Sequence, residues 1–368
     1  MKTFEIQLGN SFFMRLITFL NSHHQEKIGL CIRKSDQSEW VIDLNEALAQ
    51  SDLSTPLLES MLVNGPSSPG AYSSPNARKT LLSSLDMLGL IRNFKTLLPT
   101  IEALEHSARN NALPPACFLQ AQSITFLSPL PRPVSMRDGY AFRQHVEAAR
   151  RNRGVPMIPE FDQFPVFYFT NHLAVTGPGD LAVRKQARDR LDFELEVAVV
   201  IGKQCKDVSA AQADDFIFGY MIMNDWSARA LQMEEMKLNL GPAKGKDFAT
   251  SLGPYLVTRD ELQAFRIPGE HGERYDLEMK AWVNGKQLSS GNLKDMHWSF
   301  AQILERASYG VTLYPGEVIG SGTVGTGCLL ELNGSKVTDN LWLKAGDEVT
   351  LEVDHLGSLT NRITPSVD

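Results

Sequence analysis

Three short, mostly apolar, strand-like runs separated by polar residues near the start of the chain predict an antiparallel meander. The runs are Met14–Leu20, Ile28–Ile32 and Trp40–Leu44, with a polar turn over 21–27. Residues 1–10 read as an extra strand or a loose extension. From Asn45 the spacing turns helical, then breaks in a surface loop at Asn64-Gly65-Pro66-Ser67-Ser68-Pro69-Gly70. Leu81–Ala108 repeats Leu, Ile and Phe at helical spacing. Pro99 predicts an interruption there, with Thr100 capping a second segment.

Prolines 114, 115, 129, 131 and 133 then punctuate a boundary around a strand at Ile124–Leu127. A helix is expected over Ala141–Arg153 and a strand in the aromatic run 165–172. Phe193–Gly202 is densely apolar and reads as a strand. Phe216–Met223 reads as a strand or a helix, and Ser227–Met236 as a helix placing Arg229 and Gln232 on one face. Gly241–Asp247 reads as a flexible basic loop; it lacks the order GxxxxGK[ST] and a preceding strand, which excludes a nucleotide loop. Leu252–Val257, Tyr275–Asn284, Leu288–Asn292 and Leu341–Val353 predict a larger β-rich body with one helix at Trp298–Tyr309. Gly320–Gly327 is a glycine-rich loop able to bring backbone donors near a ligand. The fold class is therefore mixed and β-rich (α+β), with a smaller N-terminal domain over 1–120 and a metal-binding catalytic domain over 121–368.

Composition changes this picture little. The 368 residues are 43% hydrophobic and 21% charged, which suits a folded soluble chain. A net charge of -7 argues against a nucleic-acid partner, and no apolar run is long enough for a membrane span. The start lacks a cleavage-site pattern, so a cytoplasmic location is expected. Cys31, Cys117, Cys205 and Cys328 are far apart, a spacing that fits reduced structural thiols better than disulfides or a zinc site.

Candidate chemistry centres on Glu194 and Glu196. Two residues apart on a strand, they point the same way, so their carboxylates need a shared proton or a cation. Asp225 and Asp138 are the acids best placed to complete a divalent site. The bland reading is an acidic, solvent-facing edge strand. By residue type alone His145 is an exposed helix histidine, Lys246 and Arg229 are surface charge, and Tyr168 is core.

Five pieces in order alter that balance: Asp138-Gly139-Tyr140 with Arg143-Gln144-His145; Phe193-Glu194-Leu195-Glu196; Asn224-Asp225-Trp226-Ser227-Ala228-Arg229 with Gln232; Gly245-Lys246-Asp247-Phe248 with Thr250; and Ser321-Gly322-Thr323 leading to Glu331. Over about Ser135–Val353 the chain resembles the fumarylacetoacetate hydrolase family. The resemblance implies a C-terminal β-roll or sandwich and a homodimer. It implies Mg²⁺ or Ca²⁺, with Mn²⁺ also admissible, on Asp138, Glu194, Glu196 and Asp225, with Lys246 and Thr250 beside them. His145 paired with Glu331 would activate water. Arg229, Gln232 and Lys246 would contact substrate and oxyanion, and Tyr140, Tyr168 and Thr323 would line the pocket. The arginines at 150, 151 and 153 fall out of register with the family's substrate-binding arginine.

The implied activity is metal-dependent hydrolysis of a carbon–carbon bond in a 1,3-diketo acid, foremost fumarylacetoacetate to fumarate and acetoacetate, a step of tyrosine and other aromatic amino acid breakdown. The alternative within the fold is an acylpyruvate hydrolase or a related 2-oxo acid decarboxylase or isomerase. The alternative of another class is a non-catalytic cation-binding structural protein. Retention of His145 favours hydrolysis.

Overall fold

The computed structural model describes residues 14–33, 38–51 and 80–366; the expectations for residues 1–10 and 64–70 lie outside the described residues. The predicted meander forms as β1 (Arg15–Leu20), β2 (Glu26–Arg33) and β3 (Glu39–Asp43). Helices α1 (Leu44–Gln50) and α2 (Met87–Arg109) and strand β4 (Phe118–Gln120) follow. Next come β5 (Met136–Gly139), α3 (Arg143–Asn152), β6 (Phe167–Phe169), β7 (Gly179–Val183), β8 (Leu195–Ile201), β9 (Ile217–Asp225), α4 (Arg229–Glu235) and β10 (Thr250–Thr258). The last third adds β11 (Glu278–Val283), β12 (Lys286–Asn292), α5 (Phe300–Ser308), β13 (Val318–Gly320), α6 (Leu329–Gly334), β14 (Glu348–Val353) and β15 (Gly357–Pro365).

Two sheets carry the fold, a mixed α/β architecture. The larger runs β4-β3-β2-β1-β10-β9-β8-β13-β5-β6, with two-residue strands at Thr125–Phe126 and Val175–Thr176 pairing β1 and β10 off this path. Along the path only β13 and β5 are parallel, with Gly320 opposite Asp138. The meander joins the sheet where Arg15 lies opposite Val257 and Leu16 opposite Leu256. The smaller sheet runs β12-β11-β14-β15-β7.

Every residue of β8 is buried, because both faces of the large sheet are covered. Val197, Val199 and Ile201 belong to a core shared with Met279, Ala281, Leu351 and Leu359 of the smaller sheet. Ala198 and Val200, on the other face, belong to a core with Leu90, Leu97 and Ile101 of α2. Two faces of one strand thus feed two cores.

Three local expectations are corrected. The chain breaks at residues 84–86, where Asp86 caps α2, and the helix runs on through Pro99 with no cap at Thr100. Pro99 sits on the exposed side, and burial of Met87, Leu90, Ile91, Leu97, Ile101 and Leu104 outweighs its ~3 kcal/mol helix penalty. The segment Gly241–Asp247 is pinned rather than flexible: the Lys244 and Gly245 amides both donate to the Glu235 carboxylate at 2.9 Å. The stretch predicted as a strand from Leu341 begins only at Glu348, after a turn in which Gly346 takes φ +94°. Phe216–Met223 resolves as strand β9.

Candidate metal centre and active site

Strand register brings the acids to one end of the large sheet. β8 and β9 are antiparallel, so the start of β8 meets the end of β9, and Thr250 of β10 lies opposite Asp225. β13 runs between β8 and β5, with Gly320 opposite both Ala198 and Asp138. Glu196, Asp225 and Asp138 share face parity with Ala198, Met223 and Met136, so all three carboxylates leave the sheet on the α2 side. Gly320, on the same face, leaves the space they need: a Cβ there would collide with Asp138 Oδ1 and lie 2.9 Å from Met223 Sδ.

Glu194 and Glu196 are 6% and 0% exposed, Asp138 3% and Asp225 0%. The solvent-facing reading of this strand is thereby overturned. One carboxylate oxygen from each of the four lies within 4.8 Å of the others. Lys246 Nζ donates to Glu194 Oε2 and Asp225 Oδ2, both at 2.6 Å. Arg229 donates to Glu194 Oε1 at 2.6 Å, to Asp192 Oδ2 at 2.8 Å and to Gln232 Oε1 at 2.9 Å. The Gly322 amide donates to Glu196 Oε2 at 3.1 Å and Asp138 Oδ1 at 3.2 Å, and the Thr323 hydroxyl reaches Glu196 Oε1 at 3.4 Å. Gly322 takes φ +77°, and a Cβ there would lie 2.7 Å from the Gly139 oxygen, so glycine is required to aim that amide.

Crowding of buried negative charge shows in the titration of these groups. Burial, and then the Asp225 charge, push Asp138 up to about 8. Burial and Asp138 push Glu196 well above the carboxylate range. Burial also raises Asp225, against the pull of Lys246. Glu194 goes the other way: burial would raise it, but Lys246 and Arg229 beside it hold it below its ordinary value. Burial would lower Lys246, yet Asp225 and Glu194 raise it, so it stays an ammonium.

The donor set fits a divalent cation. Asp225 Oδ1 is buried without a hydrogen-bond partner, an orphan acceptor that a cation would satisfy. Four carboxylates are an all-oxygen set suited to a hard ion.

Beside the cluster, His145 Nδ1 lies 2.6 Å from Glu331 Oε2, and both side chains are buried. α3 carries the histidine and α6 the glutamate, whose Oε1 accepts from the Thr326 amide at 2.9 Å. Tyr140 stands edge-on to the His145 ring at 5.8 Å. Tyr168, half-buried on β6, donates to Asp225 Oδ2 at 2.6 Å. Thr250 is buried next to Asp225 by register, but its amide bonds the Ala174 carbonyl. All the singled-out residues therefore gather at this end of the sheet.

Two neighbours escaped the sequence reading. Asp192, wholly buried, accepts from Arg229 and from the Leu329 and Leu330 amides at 2.7 and 3.0 Å, tying the metal-side arginine to the helix of Glu331. Cys328 places a donor atom within 4.8 Å of His145 and Glu331. For Asp192 the only signal was a third acid at the same face parity; for Cys328 there was none.

A family profile described as fumarylacetoacetate (FAA) hydrolase C-terminal matches residues 135–364. The chain belongs to the fumarylacetoacetate hydrolase family. Similar family members include the fumarylacetoacetase of Oryza sativa subsp. japonica, 31% identical over 313 residues, covering 70% of this chain and 72% of that one. The oxaloacetate tautomerase YisK of Bacillus subtilis (strain 168) is 31% identical over 242 residues, covering 64% and 72%. Among solved structures, maleylpyruvate hydrolase from Sphingobium sp. SYK-6, in complex with manganese (II) ion and pyruvate, superposes with a TM-score of 0.63 at 20% identity, over 96% of this chain and 100% of that one. That likeness shows the shared fold. In this family setting the four acids and the dyad form a candidate active site for small oxo acids. Among the described residues no helix is long and apolar enough to cross a membrane.

Proposed function

We propose that the site hydrolyses the carbon–carbon bond between the two carbonyls of a 2,4-dioxo acid of the acylpyruvate kind; fumarylacetoacetate, a 3,5-dioxo acid split to fumarate and acetoacetate, is the related diketo acid cleaved by the same chemistry. The observation that carries this reading is the 2.6 Å His145–Glu331 pair set beside four converging carboxylates. A Mg²⁺, Ca²⁺ or Mn²⁺ ion held by Asp138, Glu194, Glu196 and Asp225 would bind oxo-acid oxygens and draw electron density from them.

The chain's own groups supply the rest. With Nδ1 donating to Glu331, His145 carries its lone pair on Nε2 and takes a proton from water there. The water oxygen bonds to the distal carbonyl carbon; the bond from that carbon to C3 then breaks, leaving its electron pair on C3 as an enolate. Protonated His145 returns the proton to C3, giving a carboxylic acid and a 2-oxo acid. Lys246 has two N–H groups on Glu194 and Asp225 and a third for the developing negative charge. Arg229 holds Gln232 Oε1, leaving the Gln232 amide N–H groups for a substrate oxygen. Tyr140, Tyr168 and Thr323 bound the space these groups face.

A second reading draws on the tautomerase relative: His145 moves a proton on and off C3 of oxaloacetate without adding water. Purified protein with each of the three ions, offered acetylpyruvate, fumarylacetoacetate and oxaloacetate, separates the two. Acid release from a dioxo acid is the expected result. Enol–keto exchange of oxaloacetate alone replaces it with the second reading, CO₂ loss alone replaces it with decarboxylation, and no turnover at all favours a non-catalytic cation-binding protein.

A further inference from the structure

The four-acid cluster is one of two groups of potential metal donors among the described residues. The other consists of His145, Cys328 and Glu331, all buried, with one donor atom from each within 4.8 Å of the other two. We propose that these three residues form a second cation site, for a thiophilic divalent ion such as Zn²⁺, and that filling it switches the enzyme off.

Donor chemistry separates the two groups. The acids offer only oxygen, which suits hard ions, whereas nitrogen, sulfur and oxygen together suit a borderline ion such as zinc. The second group is also built on fixed backbone. Cys328 is the N-cap of α6, and the next two amides, Leu329 and Leu330, are held by the buried Asp192 carboxylate. Upstream, the Thr326 amide holds Glu331 Oε1. The cysteine is therefore presented to the dyad from both sides. Cys31, Cys117 and Cys205 are equally buried but join no such group among the described residues.

On binding, Zn²⁺ bonds to the Cys328 sulfur and the thiol proton leaves to solvent; no electron is transferred. Glu331 and one nitrogen of His145 become ligands, so the pair is no longer available to take a proton from water. Zinc binding rests on the geometry alone; the loss of turnover rests additionally on the proposed role of His145.

Zinc also binds oxygen sites, so the test must identify the sulfur. Full-length protein saturated with Mg²⁺ is titrated with Co²⁺ and, separately, with Zn²⁺, for the wild type, Cys328→Ser and Cys328→Ala, with turnover and Tm measured in parallel. The expected result is a thiolate-to-cobalt charge-transfer band in the wild type only. Zn²⁺ affinity should fall on the order of 100-fold or more in both variants, since removing a direct ligand costs at least as much as removing its support. Both variants should keep Mg²⁺-supported turnover and lose zinc inhibition at low concentration. No cobalt–thiolate band, or equal zinc inhibition in wild type and variants, overturns the proposal. Zinc bound through sulfur with turnover intact would sustain the site and instead refute water activation by His145.

Discussion

Metal affinity is expected to climb with pH as the buried acids of the cluster lose their protons. Four buried carboxylates converge, with the Lys246 and Arg229 cations paired to them. Burial and the Asp225 charge push Asp138 up to about 8, and Glu196 is raised by burial and Asp138. At neutral pH the metal-free cluster therefore holds at least one proton that an incoming cation must expel. Expelling one proton strengthens binding about tenfold, ~1.4 kcal/mol, per pH unit. The share of the rise owed to Asp138 ends only well above about 8, where it is fully ionised. The linked effect on stability has the opposite sense. An acid raised in the folded state contributes stability that is complete below its ordinary 3.8 and is lost as pH rises through about 8. The metal-free protein should thus melt lower at about pH 8.5 than at about pH 6, and saturating Mn²⁺ should remove that difference. Titration calorimetry in two buffers of different ionisation enthalpy counts the protons released. An affinity flat from about pH 6 to about pH 8, with no proton release, refutes the reasoning.

Lys246→Met leaves Glu194 and Asp225 buried without their ammonium, and the metal-free protein should lose roughly 3–5 kcal/mol, read as a lower Tm that added metal largely restores. An unchanged metal-free Tm would contradict the pairing. His145→Ala should cut turnover by about 10²–10⁴-fold while Mn²⁺ affinity stays within a few-fold, which calorimetry and steady-state kinetics check together. Gly320→Ala puts a methyl against Asp138 Oδ1 and should weaken metal binding about tenfold or more, measured by equilibrium dialysis.

The metal acids were legible in part because side-chain parity is local. Glu194 and Glu196 were expected on one face of a strand; Glu196 lies on β8, Glu194 just ahead of it, and both carboxylates reach the cluster. That Asp138 and Asp225 join them depends on β13 lying between β8 and β5 and on β9 running antiparallel to β8, a long-range register that no local pattern encodes. The His145–Glu331 pair, 186 residues apart, came from resemblance; neither helix's own periodicity marks it. Asp192 looked like one more acid, since its meaning lies in three donors from distant segments. Pro99 misled because a local penalty was set against no tertiary term, and packing of α2 supplied that term. Three strands of the smaller sheet were read, at Tyr275–Asn284, Leu288–Asn292 and Leu341–Val353, but neither strand of its parallel β15–β7 edge, joining residues near 180 to residues near 362, was.

The central claim is that the dyad adds water across a carbon–carbon bond beside a cation site. The most direct measurement is turnover of acetylpyruvate in oxygen-18 water by the Mg²⁺- or Mn²⁺-loaded protein, with products resolved by mass spectrometry. The account predicts one labelled oxygen in the acetate, released together with pyruvate, and loss of both products in His145→Ala. Acetylpyruvate left uncleaved, with no labelled acid released, would contradict it.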